Sequence, residues 1–131
     1  MVGFLFAGET PRIIEKTVTL SASAGTDTEQ SGGVHISDWN GTVVLAVDPV
    51  LDSGTAQDIV VTFQHKFNGL DFNGTDLAVG TVAAASVTAG TTVYFDITAL
   101  SDFIYADVYD FKFVGASGTY GATLTVQIKG Q

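Results

Sequence analysis

The stretch VLDSGTA, residues 50 to 56, comes nearest to a catalytic signature in this sequence. Two aliphatic residues lead into Asp52, Ser53, Gly54 and Thr55. A carboxylate so placed does hydrolytic work when an equivalent Asp lies beside it, because two adjacent carboxylates cannot both ionise and come to share a proton. The chain carries a single stretch of this kind, so that chemistry requires a homodimer. Asp, Ser and Gly are also the preferred residues of turns, and a match this short recurs by chance. Asp52 to Thr55 therefore read as a connection between two strands, and the chain is expected not to be an enzyme.

Four other groupings have residue types that hold ligands or modifications. DFNGTD sets Asp71, Asn73 and Asp76 in a glycine-containing loop that offers oxygens to calcium, but it lacks the distant bidentate Glu of a dedicated calcium loop, and a solvated hairpin is expected. His35 and His65 stand in separate predicted strands, the chain has no cysteine, and no HxxxH spacing occurs, so no zinc site is indicated. Asn40 and Asn73 each open an NGT acceptor pattern and are read as turns. No cofactor is expected. The aromatic series Phe103, Tyr105, Tyr109, Phe111 and Phe113 recurs at even spacing, interrupted by Asp107. Such a series reads as core or subunit interface, while Trp39 with the tyrosines would suit stacking on sugars.

The elements that must position these groups are strands. Fifteen glycines among many Thr, Val and Ala, with two prolines, describe short β-branched strands joined by glycine turns. IIEKTVTLSA alternates Ile14, Lys16, Val18 and Leu20 against Ile13, Glu15, Thr17 and Thr19, the period of a half-buried strand. GVHIS is a short second strand, SDWNG a turn, and TVVLAV is apolar on both parities, as for a strand covered on both faces and broken by Asp48 and Pro49. DIVVTFQHKF puts Ile59, Val61, Phe63, His65 and Phe67 on one face. LAVGTV, TVYFDI with Val93, Phe95 and Ile97 on one side, FIYADVYDFKFV, and YGATLTVQIKG with Leu124, Val126 and Ile128 inward complete the series. The Ala-rich VAAASVTAG is interrupted by β-branched residues and is not expected to be helical. The expected fold is all-β, a two-sheet β-sandwich or jelly roll of about eight strands.

At 131 residues the chain reads as one domain able to fold without disulfides or metal. Fourteen acidic against five basic residues give a formal charge of −9, which disfavours nucleic acid and anionic membranes as partners. Phe4, Leu5 and Phe6 form an apolar run too short, and too poor in flanking basic residues, for a secretory leader or a membrane span. Residues 1–10 read as an apolar N-terminal arm and residues 11–131 as the sandwich. Burial of three side chains does not offset the ordering of the arm's backbone, so the arm is expected to pair with a sheet edge.

Taken together, TVTLSASAGTDTEQSGGVHISDWNGTVVLAVDPVLDSGTAQDIVVTFQHKFNG and VGASGTYGATLTVQIKG resemble the small β-sandwich virion proteins of tailed bacteriophages, of the capsid decoration or cement type. The resemblance covers nearly all of the chain after Lys16 and is compositional. It implies a non-enzymatic structural protein that binds the major capsid protein or another virion protein, is a homo-oligomer, is made in the host cytoplasm and resides in the virion. Phe4, Leu5, Phe6, Tyr105 and Tyr109 are then the expected interface residues. A glycan-binding module of a tail or fibre is the alternative. A third reading follows from DSGT, which resembles the active-site loop of aspartic proteases and would make Asp52 the catalytic residue of a homodimer.

Overall fold

The computed structural model describes residues 12–36, 39, 41–67, 70–71, 77–99 and 108–130, with the backbone alone at 65–67, 70–71 and 108–109. The expected arm, residues 1–10, lies outside the described residues.

Two long strands frame the molecule. β1 (Arg12–Gln30) and β7 (Val108–Gly130) run antiparallel from the pair Arg12 and Gly130 to the pair Gln30 and Lys112. Along the second half of β7 lies β2 (Val44–Gly54), and along its first half lies β3 (Ile59–Phe67). β6 (Val93–Asp96) extends the β2 side, whereas β5 (Leu77–Val82) and β4 (Leu70–Asp71) extend the β3 side. The ladder is thus one hydrogen-bonded sheet whose halves, β1-β7-β2-β6 and β1-β7-β3-β5, share the long ribbon. The halves face each other: a Cβ on Gly80 of β5 would come within 2.4 Å of the Phe95 ring of β6. This is the expected all-β sandwich, with seven strands among the described residues.

The fold depends on a corner in the ribbon. Phe111 and Phe113 are buried at odd positions of β7, but from Tyr120 onward the even positions Ala122, Leu124, Val126 and Ile128 are buried. The parity changes within Gly115 to Thr119, opposite register irregularities between Ala22 and Asp27 of β1. Such irregularities bend a strand and re-aim its faces, so both halves of one ribbon present apolar residues to a single core. The corner is pinned by hydrogen bonds: Tyr120 Oη donates to Ala116 O at 3.1 Å, Ala24 N–H to Thr119 Oγ1 at 2.9 Å, and Thr55 N–H to Thr119 O at 3.1 Å. Gly54 ends β2 there with φ of 73°, and a side chain at that position would meet the Thr119 carbonyl oxygen.

Period-2 patterning places most faces as expected. Val18 and Leu20 are buried while Thr17 and Thr19 are exposed. Ile59, Val61 and Phe63 are fully buried, and Phe63 meets Phe111 with ring centroids 5.6 Å apart. Val43, Leu45 and Val47 are buried, but Val44 and Ala46 on the other parity are only half-buried, so β2 is covered on one face rather than both.

Several expectations are corrected. VAAASVTAG contains the helix α1 (Ala84–Ala89), which links β5 to β6. It has no side-chain cap of its own; Asp58 supplies one from outside, accepting from Ala84 N–H at 2.8 Å, and Val87 anchors the helix in the core. Tertiary contacts, not local propensity, hold this short helix. β2 runs through Asp48 and Pro49 without a break. Its last pair with β6 is Val47 with Val93, so Pro49 lies where β2 has become an edge on that side, the setting in which a strand tolerates proline. Asp52, Ser53 and Gly54 therefore belong to a strand end and not to a free loop. Of GVHIS, the described residues 33–36 form only an isolated bridge at Val34. The two strands expected at the end of the chain are one, β7, continuous through GASGT.

Candidate binding face

None of the expected interface side chains falls among the described ones. Phe4, Leu5, Phe6 and Tyr105 lie outside the described residues, and for Tyr109 the backbone pairs with His65 in the ladder of β3 and β7. Of the aromatic series, Phe111 and Phe113 are fully buried, which is the core reading; Phe103 and Asp107 lie outside the described residues.

Asp52 is exposed, and its carboxylate accepts from Thr123 Oγ1 at 2.6 Å across the β2-β7 pair. That bond is the pin of a strand end. Asn40, Asn73 and Asp76 lie outside the described residues; His35 is exposed, and no grouping of three His, Asp or Glu suited to a metal ion occurs among the described residues. Trp39, the stacking platform of the glycan-binding alternative, is 6% exposed and lies over Gly130, so it is a core residue. The buried charge among the described residues, Asp110, accepts from Ser31 Oγ at 3.4 Å. Ser31 in turn exchanges backbone and side-chain bonds with Phe111, its N–H donating to Phe111 O at 2.9 Å and its Oγ accepting from Phe111 N–H at 3.1 Å. This cluster fastens the end of β1 to β7.

The surface with chemical potential is the outer face of β1-β7-β2-β6. Register aligns its residues in rows: Ile13, Lys129, Val44 and Asp96; then Glu15, Gln127, Ala46 and Tyr94; then Thr17, Thr125 and Asp48; then Thr19, Thr123 and Val50. Tyr94 is 70% exposed, Ile13 57% and Val50 53%, the large hydrophobic side chains that this face presents among the described residues. Ala46 is the small member of its row, and the space above it is a shallow open depression of about 180 Å³ lined by Ala46, Asp48, Thr92, Tyr94, Thr125 and Gln127. Gln127 Nε2 donates to Glu15 Oε2 at 2.9 Å, which holds the amide in place. The segment carrying Thr92 is tied back to α1 by Thr91 N–H donating to Ser86 O at 3.0 Å.

The edge of this half-sheet is closed by a local network. Thr98 N–H and Oγ1 both donate to Asp96 Oδ1, at 2.9 and 2.5 Å, and Thr98 Oγ1 accepts from Val43 N–H at 3.0 Å. The hydrogen bond from the Thr98 hydroxyl, with that from its backbone, lowers the Asp96 carboxyl below its ordinary range. On the far side of the sandwich corner, burial raises the Tyr120 phenol, with a smaller contribution from the charge of Asp27.

Sequence reasoning passed over Tyr94. Its signal was present: the alternation that sets Val93, Phe95 and Ile97 inward requires Tyr94 to face out.

No known protein family matches the chain, and no curated protein matches it. Among solved structures it is similar to a chain of infectious bursal disease virus, Gx strain, at 15% identity over 92% of this chain and 32% of that one, with a TM-score of 0.53. It is also similar to a chain of the infectious bursal disease virus VP2 subviral particle, at 11% identity over 91% and 32%, with a TM-score of 0.52. A family 30 carbohydrate binding module matches at 19% identity over 88% of this chain and 76% of that one, with a TM-score of 0.51. The chain spans about a third of the viral chains it matches. At these identities the likeness is one of fold.

Proposed function

We propose that this chain is a non-enzymatic structural subunit of a virus particle, most specifically a capsid decoration protein of the kind found on tailed bacteriophages. It would bind the major capsid protein or another virion protein and its own neighbours, and act through surface complementarity repeated over many copies. The observation that carries the reading is the edge of β1: nineteen residues of strand that, among the described residues, pair with β7 alone. A long strand edge is a template for another strand, and the sequence supplies in Phe4, Leu5 and Phe6 an apolar segment suited to pair with one. Strand addition between subunits would satisfy both. The likeness of fold to viral particle chains supports the reading, and so does the acidic charge of −9, which disfavours nucleic acid and anionic membrane as partners. Against catalysis, Asp52 is exposed and bonded to Thr123, with no second carboxylate provided for it by its own chain's DSGT pattern.

The test is deletion of residues 2 to 8. The truncated protein is expected to keep the melting temperature of the free domain and to lose attachment to particles lacking this protein, because repeated weak contacts fail together. A truncated protein that unfolds, while its folded fraction still binds particles as before, would show the segment to be an internal strand and place the interface elsewhere. Failure of the intact chain to bind particles or to self-associate overturns the reading itself.

A further inference from the structure

We infer that the depression around Tyr94 is a binding subsite for one ring of an uncharged glycan. The argument does not depend on the particle reading above.

A pyranose ring has a C–H face and a rim of hydroxyls that both donate and accept. It is recognised by an exposed flat aromatic ring with hydrogen-bonding groups around it, and the depression combines these. The Tyr94 ring is 70% exposed on a sheet face, so its flat surface is open to a ligand. β6 is paired to β2 on one side, with Ala46 directly opposite Tyr94, so the ring stands on a fixed strand beside a gap instead of on a loop. Around that gap the Asp48 carboxylate and the hydroxyls of Thr92, Thr125 and Tyr94 make no hydrogen bond among the described residues. Gln127 has its Nε2 fixed on Glu15, which leaves Oε1 as an acceptor. The carboxylate accepts from sugar hydroxyls, and the threonine and tyrosine hydroxyls serve as donor or acceptor as required. These groups are held in advance by the ladder and by the bond from Thr91 to Ser86, which limits the ordering that binding must supply.

Charge selects among sugars. Asp48, Glu15 and Asp96 outnumber the cation Lys129 on this face and the chain carries −9, so sulfated, phosphorylated and sialylated glycans are repelled and a neutral hexose chain is favoured. Size sets the strength. At about 180 Å³ the depression is smaller than the 300 Å³ or so at which enclosing ligand pockets begin, so it touches one unit from one side and single-site binding is weak. Copies displayed together would bind a polysaccharide through many such contacts.

The experiment titrates the full-length chain with neutral gluco-, manno- and galacto-oligosaccharides, alongside sialylated and sulfated ones, following the tyrosine ring signals by NMR. Wild type is expected to bind at least one neutral series at millimolar concentration with shifts at Tyr94. Tyr94→Ala should weaken binding at least tenfold with an unchanged melting temperature, Tyr94→Phe should retain most of it, and Asp48→Asn should weaken it several-fold. No binding to any neutral series, binding untouched by Tyr94→Ala, or preference for the anionic set would each overturn the inference. The truncation of residues 2 to 8 leaves this titration unchanged if the subsite is real, which separates its fate from that of the particle reading.

Discussion

Replacing Gly115 by Ala tests the corner on which the sandwich turns. A Cβ at Gly115 would lie 1.7 Å from Tyr120 Oη and 2.9 Å from Tyr120 Cζ, both well inside contact distance. The Tyr120 side chain is 3% exposed and its hydroxyl donates to Ala116 O, so it cannot yield without leaving a buried seat and that acceptor. Overpacking of this kind costs about 1–3 kcal/mol, and the lost hydrogen bond about 1 kcal/mol more. Gly115→Ala is therefore expected to lower stability by roughly 2–4 kcal/mol. Tyr120→Phe alone removes the hydroxyl and costs about 1 kcal/mol. In the double variant the 1.7 Å conflict is gone and the hydrogen bond is lost only once. Its destabilisation should fall short of the sum of the singles by roughly 1–2 kcal/mol, beyond the few tenths seen for independent sites. Urea unfolding followed by circular dichroism at neutral pH measures all four proteins. Strict additivity, or a Gly115→Ala protein within about 0.5 kcal/mol of wild type, would refute the contact and with it this account of the corner. The phenol gives an independent readout. Its pKa is raised above the ordinary 10.0, so its contribution is complete below that value and is lost as pH rises through the folded one; Tyr120→Phe should flatten that alkaline decline.

Phe63, fully buried against Phe111, should cost about 3–5 kcal/mol when cut to Ala, and an unchanged melting temperature would invert the assigned face of β3. Asp52→Asn is expected to change stability by no more than about 0.5 kcal/mol and to leave assembly intact; pepstatin-sensitive peptide cleavage that disappears in this variant would overturn the non-enzymatic reading. Asp96 is lowered in the folded state, so its contribution is present above the unfolded carboxyl value and fades as pH falls through the folded one. Thr98→Val, which removes the hydroxyl and keeps the backbone N–H, should weaken that acid-side dependence, read from unfolding midpoints across an acid pH series, and an unaltered pH profile would show the contact of Asp96 with the Thr98 hydroxyl to be inert.

The strands β1, β3, β6 and the second half of β7 were legible in the sequence because side-chain direction alternates residue by residue, and a half-buried strand records that alternation locally. Val18 against Thr19, Phe63 against Thr62, and Leu124 against Thr125 are each decided by their immediate neighbours. The tertiary structure decided what depends on residues distant in the chain. Helix α1 forms because Asp58 caps Ala84 from another segment. β2 passes through Pro49 because β6 has already ended beside it. β7 stays one strand through its glycines because β1 holds one side of it, while β3 as far as Gly115 and β2 from Tyr120 hold the other. Trp39, with a polar turn on either side in the sequence, is buried because the bare backbone of Gly130 admits its ring. The depression at Tyr94 exists only through register, which sets Ala46 between Tyr94 and Gln127, residues far apart in the chain. Within a half-buried strand the sequence determined which way a side chain faces, since that is a property of adjacent residues. Which side chains become neighbours was left to strand pairing across the whole molecule.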